Sequence, residues 1–268
     1  MVPPRKGARI EIAGLRKTFD GPSGPVDAIS GVDLAIEPGE FLCIVGPSGC
    51  GKSTLLRILA GLERETAGRL RIDAAGWAVP NAMVFQDSGL FPWMSVADNI
   101  AFGLATRGVA KAERRERVEA AMRLVGLTKF RDHYPHQLSG GMRQRGAIAR
   151  AFVTEPAVLL MDEPFAALDA QNRTILQEEL VRLWEETGKT VVYITHSIEE
   201  ALFLGDRAVI MTAQPGRIKE IMPVPFPHPR RLMELSASPE FGELKLRIWR
   251  ALEGEVMQAR REQEGAEA

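Results

Sequence analysis

One glycine-rich segment of the chain has the residue types and spacing of a phosphate-binding loop. Residues 46–53 read Gly-Pro-Ser-Gly-Cys-Gly-Lys-Ser and follow an apolar run, Phe41–Val45, that predicts a buried strand. Glycines let successive backbone N–H groups point at one phosphate, and the start of the next helix adds positive potential. We expect Lys52 to reach the β- and γ-phosphates of a nucleotide, Ser53 to ligate Mg²⁺ and Thr54 to bind near the α-phosphate. The predicted phosphate-binding set is Gly46, Pro47, Ser48, Gly49, Cys50, Gly51, Lys52, Ser53 and Thr54.

Two adjacent carboxylates follow a second apolar run and could serve the same phosphates. Ala157–Met161 predicts another buried strand, and Asp162 and Glu163 come directly after it. A rigid strand end would hold Asp162 near Mg²⁺ through a water molecule, and Glu163 would polarise the water that attacks the γ-phosphate. A strand that merely ends in polar residues explains Asp162 alone, but it explains the pair of carboxylates poorly.

A histidine stands at the end of a third apolar strand. His196 directly follows Val191–Thr195, and ligands of open α/β sheets bind beyond the carboxyl ends of the parallel strands. We predict that His196 contacts the γ-phosphate. The alternative is a structural or simply exposed histidine.

The elements that must position these residues alternate between strand and helix. This alternation predicts an α/β fold with a parallel sheet, interrupted by a helical insertion over residues 86–154, in which residues 95–154 carry helical spacing. Within the insertion, Ser139 is the predicted N-cap of a helix over Gly140–Thr154. Asp73–Asn81 predicts a short hairpin that contains Trp77. From about residue 214 the chain is rich in proline, and it then predicts an amphipathic helix with an apolar face of Phe241, Leu244, Ile248 and Leu252.

The composition narrows the class of protein. The chain has 268 residues, of which 45% are hydrophobic and 26% charged, as in ordinary globular proteins. Lys plus Arg number 34 and Asp plus Glu 35, so no global basic field would hold nucleic acid, and we expect no nucleic-acid partner. Two cysteines exclude a disulfide scaffold and suit a reducing compartment. The apolar runs are far shorter than the ~20 residues of a membrane-spanning helix, and we expect neither such a helix nor a secretory signal.

A further motif makes the chain resemble the ATPase subunits of ATP-binding cassette (ABC) transporters. Residues 138–145 read Leu-Ser-Gly-Gly-Met-Arg-Gln-Arg, which is similar to the family signature LSGGQ with Met142 in place of Gln. Ser139, Gly140 and Gly141 begin a helix and would offer N–H groups to a phosphate. One nucleotide does not need two phosphate cradles in one chain. The resemblance therefore implies a head-to-tail homodimer, in which the signature of one copy closes over ATP held by the other.

The resemblance also implies roles for three other residues. Gln86 matches the family's Q-loop glutamine, which contacts Mg²⁺ and the attacking water and links the site to the membrane partner. Asp169, in Ala167–Asp169, matches the D-loop that communicates between the two sites. Phe19 occupies the position that stacks on adenine, where many relatives have Tyr; the alternative is that Phe19 only packs in the core. The implied cofactors are ATP and Mg²⁺.

The fold implied by the resemblance is an α/β P-loop NTPase core of the RecA-like type, with an N-terminal antiparallel β subdomain and an inserted α-helical subdomain. Residues 1–85 and 155–213 would form the ATP-binding core with the β subdomain. Residues 86–154 would form the helical signature subdomain, and residues 214–268 a C-terminal extension to this single ATPase domain.

A narrower resemblance points to one group of importers. Residues 90–104, 211–218 and 225–230 are similar to those of the ATPases of nitrate, aliphatic sulfonate and taurine importers. This implies a subunit that energises the uptake of a small anionic solute through a membrane permease, and that depends indirectly on a periplasmic solute-binding protein. The permease would contact Gln86–Val96, where Phe91, Pro92 and Trp93 form an aromatic anchor, unless these residues pack internally. The chain would lie at the cytoplasmic face of a bacterial inner membrane.

Two other functions are compatible with a phosphate loop. A soluble ABC ATPase of DNA repair or translation would lack a permease, but such proteins often carry two cassettes or a long coiled-coil insertion. A P-loop kinase or GTPase would leave Ser139–Gly141 unused, and the sequence has no N-K-x-D motif to select guanine. The importer subunit is the preferred hypothesis, with the soluble ABC ATPase as the alternative.

Overall fold

The computed structural model describes residues 7–22, 24–166 and 168–267, with side chains as far as Arg261. Ala167 of the predicted D-loop and the first six residues of the predicted core lie outside the described residues. The strands are β1 (Arg9–Gly21), β2 (Gly24–Ile36), β3 (Phe41–Val45), β4 (Ala67–Asp73), β5 (Asn81–Val84), β6 (Val158–Asp162), β7 (Thr190–Thr195), β8 (Arg207–Met211) and β9 (Ile218–Pro223). The helices are α1 (Lys52–Leu59), α2 (Val96–Thr106), α3 (Lys111–Leu124), α4 (Gly140–Phe152), α5 (Ala170–Thr187), α6 (Ile198–Leu204), α7 (Leu232–Ser236) and α8 (Pro239–Glu267).

A six-stranded sheet, counted over the described residues, leads to the predicted site. Its strand order is β5-β6-β7-β3-β8-β9, and neighbours run parallel except β9, which is antiparallel to β8. Strands β3, β6 and β7 are buried along their whole length, which explains their continuous apolar sequences. The predicted parallel α/β sheet is confirmed. Because parallel strands end at the same edge, the segments that follow β3, β6 and β7 meet there.

An antiparallel sheet of order β2-β1-β4 packs against one face of the central sheet together with α1. Ile10, Ile12 and Leu15 of β1 point into this second core, as their alternation with polar residues predicts. Leu55 and Leu56 of α1 lie in the same core, which couples the helix after the phosphate loop to both sheets.

The predicted hairpin over Asp73–Asn81 is wrong. Strand β4 pairs with β1, whereas β5 pairs with β6 in the other sheet, so this segment crosses between sheets. Its local turn, closed by the Trp77 N–H on the Ala74 carbonyl, resembles a hairpin turn, but the flanking strands have different partners. Trp77 packs at the edge of the second core, with the Lys189 ammonium 5.3 Å from its ring centroid.

In the chain, helices α2, α3 and α4 lie between β5 and β6, and they surround a small core of their own. Val118, Met122 and Val125 are buried in it, as their spacing predicts. The Ser139 hydroxyl caps α4 by accepting the Met142 N–H at 3.3 Å, which confirms the predicted N-cap. The far end of α4 contributes Phe152 to the main core, which contains Phe41, Cys43 and Val45 of β3. Helix α4 therefore packs in both the small helical core and the main core.

The C-terminal segment joins the main core. Strand β9 extends the central sheet, an element that the proline-rich sequence does not predict. Phe241, Ile248 and Leu252 of α8 are buried against the sheet, which confirms the predicted amphipathic face. The Arg230 guanidinium is buried and donates to the carbonyls of α6 and Gly205, which fixes the chain before α7. Among the described helices, none has the length and apolar character required to cross a membrane.

Candidate functional site

The loop between β3 and α1 is shaped by glycines that no larger residue could replace. Gly51 has φ +90°, and a Cβ atom there would lie 2.6 Å from the Ala28 carbonyl oxygen. A Cβ atom on Gly46 would lie 2.9 Å from the Cys50 sulfur. The backbone is therefore tightly curled, as a phosphate cradle requires. Burial raises the pKa of the Cys50 thiol, which suits a packing residue rather than a reactive one.

The Lys52 ammonium lies inside this curl. Its Nζ donates to the carbonyl oxygens of Gly46 at 2.9 Å and Pro47 at 2.8 Å, and the side chain is buried. These carbonyl oxygens accept hydrogen bonds from the Lys52 ammonium, but they do not neutralise its positive charge. A phosphate oxygen offers a full negative charge to the same ammonium, so the residues fit a bound triphosphate.

Ser53 and Asp162 form an oxygen pair beside the lysine. The Ser53 hydroxyl donates to Asp162 Oδ1 at 3.0 Å, although the two residues lie 109 positions apart. When Mg²⁺ is bound together with substrate phosphates, its ligands are oxygen atoms, and only a few of them come from the protein. The described residues contain no cluster of three or more His, Cys, Asp or Glu side chains that would hold a metal alone. The pair therefore fits a Mg²⁺ ion that also contacts phosphate.

Burial raises the pKa of the Asp162 carboxyl, and the neighbouring charge of Glu163 raises it further against the opposing hydrogen bond from Ser53. The folded chain thus holds this proton more tightly than the unfolded chain. Ionisation of Asp162 therefore costs stability as the pH rises through the unfolded and then the folded pKa. The ionised group is useful only when a cation offsets this cost.

We expect Asp162→Asn to stabilise the nucleotide-free chain at pH 7, raising its melting temperature by about 2–4 °C per kcal/mol relieved. The gain should shrink as the pH falls toward the ordinary Asp pKa, because the wild-type carboxyl is then protonated in both states. The added stabilisation by Mg²⁺ with ATP should be lost. Thermal unfolding checks both, with Asp132→Asn as an exposed control. A lower melting temperature for Asp162→Asn without nucleotide would contradict the argument.

Glu163 and His196 meet across the ends of β6 and β7. Glu163 Oε1 lies 2.6 Å from His196 Nε2, and His196 Nδ1 lies 3.2 Å from the Gly46 carbonyl oxygen. Both ring nitrogens of His196 therefore lie within hydrogen-bond distance of an oxygen atom, which fixes the orientation of the ring between Glu163 and Gly46. Glu163 has φ +44°, and its N–H donates to the Ile194 carbonyl, which aims its side chain over the edge of the sheet.

These groups surround one cleft of about 230 Å³. Its lining residues are Ala28, Ser48, Gly49, Cys50, Gly51, Lys52, Ser53, Thr54, Glu163 and His196. The cleft therefore brings together most of the phosphate loop, the expected general base and the expected γ-phosphate contact. The walls combine backbone N–H donors, a cation and a carboxylate, which suits hydrolysis of a phosphoanhydride.

Other predicted residues do not line this cleft. Gln86 follows β5 and is exposed. Phe19 is 39% exposed and pairs with Val26, two residues before cleft residue Ala28, with the Lys17 ammonium 4.5 Å from its ring centroid. The Phe19 ring is therefore only partly exposed to solvent.

The signature residues also do not line the cleft of their own chain. Ser139 and Gly140 are exposed, and Gly141 is half-buried. The Arg143 guanidinium donates to the Leu138 carbonyl at 2.7 Å and fixes the entry to α4. Asp169 caps α5 by accepting the Asn172 N–H, a bond that lowers the pKa of this exposed carboxyl. An N-terminus of α4 that is open to solvent can serve a phosphate held by another molecule.

An aromatic patch, made of Phe91, Trp93 and Phe102, lies after Gln86 in the chain. The ring centroids of Phe91 and Phe102 are 4.7 Å apart and those of Phe91 and Trp93 are 5.5 Å apart, while Trp93 is 69% exposed. The alternative of fully internal packing does not apply to Trp93.

Two side chains that the sequence pattern does not mark as functional hold this patch in place. The buried Asn99 amide bonds the backbone of Phe91 at both N and O. The Arg150 guanidinium of α4 donates to the carbonyl oxygens of Gly89 at 2.7 Å and Ser88 at 3.4 Å. Helix α4 thus connects the signature to the aromatic patch. No local sequence signal marks Arg150, since an arginine in the last turn of a helix is ordinary.

Comparison with known proteins places this site in context. Residues 29–166 match a family model described as ABC transporter. An uncharacterized ABC transporter ATP-binding protein of Methanocaldococcus jannaschii is 45% identical over 258 residues, 95% of each chain. A nitrate import ATP-binding protein of Synechococcus elongatus is 46% identical over 85% of this chain and 86% of its own length. A taurine import ATP-binding protein of Roseobacter denitrificans is 43% identical over 92% and 96%, respectively.

A solved structure is similar in fold. It is a dimeric, post-hydrolysis ATP-binding cassette bound to ADP and Pi, with a TM-score of 0.72 and 31% sequence identity. The match covers 81% of this chain and 99% of that one.

Proposed function

The chain belongs to the ABC transporter family, and from this premise we propose that it is the ATP-hydrolysing subunit of an importer for a small anionic solute. The family, the α/β cassette fold and an ATPase activity coupled to transport are shown by the relatives and confirm the resemblance. The finer statement is supported by two relatives named for nitrate and taurine import. The observation that carries the proposed ATP hydrolysis is the convergence of Lys52, Glu163 and His196 in one cleft.

The residues of the cleft divide the work of hydrolysis. Lys52 exchanges its carbonyl partners for phosphate oxygens. Ser53, and Asp162 through a water molecule, would hold Mg²⁺, which when bound would neutralise phosphate charge. Glu163 accepts a proton from the attacking water. His196 orients Glu163 through their 2.6 Å contact. Phe19 stacks on the adenine. Gln86, in the segment that follows β5, would contact Mg²⁺ and the attacking water.

A second copy of the chain would complete the site. The exposed N-terminus of α4 supports this role because Ser139–Gly141 do not reach the cleft of their own chain. The similar solved cassette is described as dimeric. In the proposed head-to-tail dimer, Asp169 lies between the two sites, and residues 86–154 move as one helical subdomain relative to the core.

The aromatic patch supports docking to a membrane permease. An exposed tryptophan beside other aromatic rings is typical of an interface anchor. The segment lies directly after Gln86, and Arg150 connects it to α4. Closure of the dimer would therefore be transmitted to the permease through the segment 86–96, at the cytoplasmic face of the membrane.

We expect Trp93→Ala to abolish most of the ATPase stimulation by the permease and to cut solute uptake at least tenfold, since anchors of this kind contribute 2 kcal/mol or more. Uptake of labelled nitrate, taurine and an alkanesulfonate should be measured in vesicles that contain the chain together with a permease that co-purifies with it. Met233→Ala changes another exposed apolar side chain, on α7, and is the control. The rate of each isolated chain reports whether its nucleotide cleft is intact.

Two outcomes would contradict parts of the proposal. Uptake of none of the three anions would overturn the solute class. Failure of any membrane protein to bind would favour the soluble ABC ATPase instead.

A further inference from the structure

A buried carboxylate outside the cleft organises the segment that carries His196. Glu200 lies in the first turn of α6 and is only 8% exposed. Its Oε1 accepts the Gln177 amide at 2.8 Å, and its Oε2 accepts the hydroxyls of Tyr193 and Thr195. All three partners donate, so the carboxyl group of Glu200 acts as the acceptor in each of these bonds. The preceding residue, Glu199, is also acidic, but it is exposed and pairs with Lys245.

The local sequence predicts a simpler role for Glu200. Ser197 and Glu200 have the spacing of a capping box, in which the glutamate reaches back to the backbone N–H of the N-cap serine. The structure departs from this pattern. The Ser197 N–H donates to the Thr195 hydroxyl oxygen at 2.9 Å, and that hydroxyl in turn donates to Glu200. The Ser197 hydroxyl accepts the Glu200 N–H at 3.2 Å. Thr195 and Ser197, the two neighbours of His196, are therefore both bound to Glu200.

Helix capping does not explain why the carboxylate of Glu200 is buried. A capping box works at the protein surface, and burying a carboxylate is unfavourable unless every lone pair is well used. The phenol of Tyr193 remains a donor at neutral pH, because burial first and then the charge of Glu200 raise its pKa. The third donor, Gln177, belongs to α5, the helix that Asp169 caps. The carboxylate thus ties β7, α6 and α5 together at one point.

We propose that Glu200 is a positioning residue for hydrolysis: it fixes the backbone on both sides of His196 so that the imidazole meets Glu163 and Gly46. Through Gln177 it also relates the position of His196 to that of α5 and Asp169. This inference rests on the proposed catalytic roles of Glu163 and His196. Glu200 does not touch nucleotide in this arrangement, and its effect passes through the geometry of residues 195–197.

The principal test is Glu200→Gln in the full-length chain. The introduced amide nitrogen carries two N–H donors in place of one acceptor oxygen of the carboxylate. These donors must face either the two hydroxyls or the Gln177 amide, and each of these groups donates to residue 200 in the wild type. We expect kcat for ATP to fall about tenfold, while KM stays within about twofold, because the phosphate loop is untouched. Glu199→Gln is the matched control, with both constants unchanged.

A compensating change separates hydrogen-bond matching from general damage. Gln177→Glu combined with Glu200→Gln exchanges the acid and the amide across the same 2.8 Å bond. The introduced amide can then donate to the introduced carboxylate and accept from both hydroxyls. We expect kcat to recover to within about threefold of the wild type. Should Glu200→Gln fail to fold, Thr195→Val removes the bridging hydroxyl and should lower kcat similarly, whereas Thr195→Ser should retain it.

A spectroscopic readout identifies positioning. The chain has four histidines, so their ring Cε1–H signals are few, and the His196 signal is the one lost in His196→Ala. Glu200→Gln should shift it and leave those of His133 and His136 in place. A normal kcat with an unmoved His196 signal would overturn the proposal, even if the melting temperature falls. If Glu163→Gln and His196→Ala both hydrolyse ATP normally, the proposed function of the site fails instead, whatever Glu200→Gln does.

Discussion

Replacing Glu163 by glutamine should reduce ATP turnover by about 10²–10⁴-fold, the usual contribution of a positioned general base. Glutamine keeps the shape of the side chain but cannot take a proton from water at neutral pH. Lys52, Ser53 and Asp162 are unchanged, so ATP should bind with an affinity within a few fold of the wild type. The γ-phosphate then stays in place, and the proposed nucleotide-bridged dimer cannot reopen. Steady-state hydrolysis, nucleotide binding and light scattering after size exclusion check these three results.

A matched control exists within the chain. Glu155 also has a positive φ, +52° against +44° for Glu163, but its side chain is largely exposed and lies 3.9 Å from Arg117. Glu155→Gln therefore reproduces the backbone situation and the chemical change without touching the cleft, and it should leave turnover unchanged. Hydrolysis by Glu163→Gln at more than about a tenth of the wild-type rate would assign the base elsewhere.

Two inactive variants should restore activity when they are mixed. Lys52→Ala removes the only ammonium among the residues that line the cleft and should weaken ATP binding by about 10–100-fold, as expected for a charge-assisted hydrogen bond. Ser139→Arg places a bulky side chain at the exposed N-terminus of α4 and should block closure over the nucleotide of the partner. Alone, each variant should hydrolyse ATP at least about 10²-fold more slowly than the wild type.

The mixture tests the shared site directly. In a head-to-tail dimer of the two variants, one site combines both defects and the other combines an intact phosphate loop with an intact signature. With random pairing and independent sites, equal amounts should give on the order of one quarter of the wild-type rate. A chain that carries both changes, mixed with Lys52→Ala, has no intact phosphate loop and is the control. No recovery in the first mixture would contradict the composite site, as would full-rate hydrolysis by monomers.

Local sequence determines several parts of this protein. The glycine spacing of residues 46–51 specifies a curled loop because a Cβ atom at Gly46 or Gly51 would clash. Ser139 specifies the start of α4 through a bond to Met142, three residues away. The apolar runs of β3 and β6 specify strands buried on both faces. In each case the residue types within one short segment carry the signal, so the sequence pattern is sufficient to predict it.

Other parts depend on which distant elements come together. Strands β4 and β5 flank a turn that looks like a hairpin, yet each pairs with another strand, because strand pairing is a long-range choice that the pattern of one segment does not contain. The contact of Glu163 with His196 joins residues 33 positions apart at the edge of the parallel sheet. Glu200 has the spacing of a surface cap and is instead buried, since only the packed sheet and α5 supply its remaining donors. Tertiary structure decides such cases because the burial of a polar group is favourable only where its partners converge.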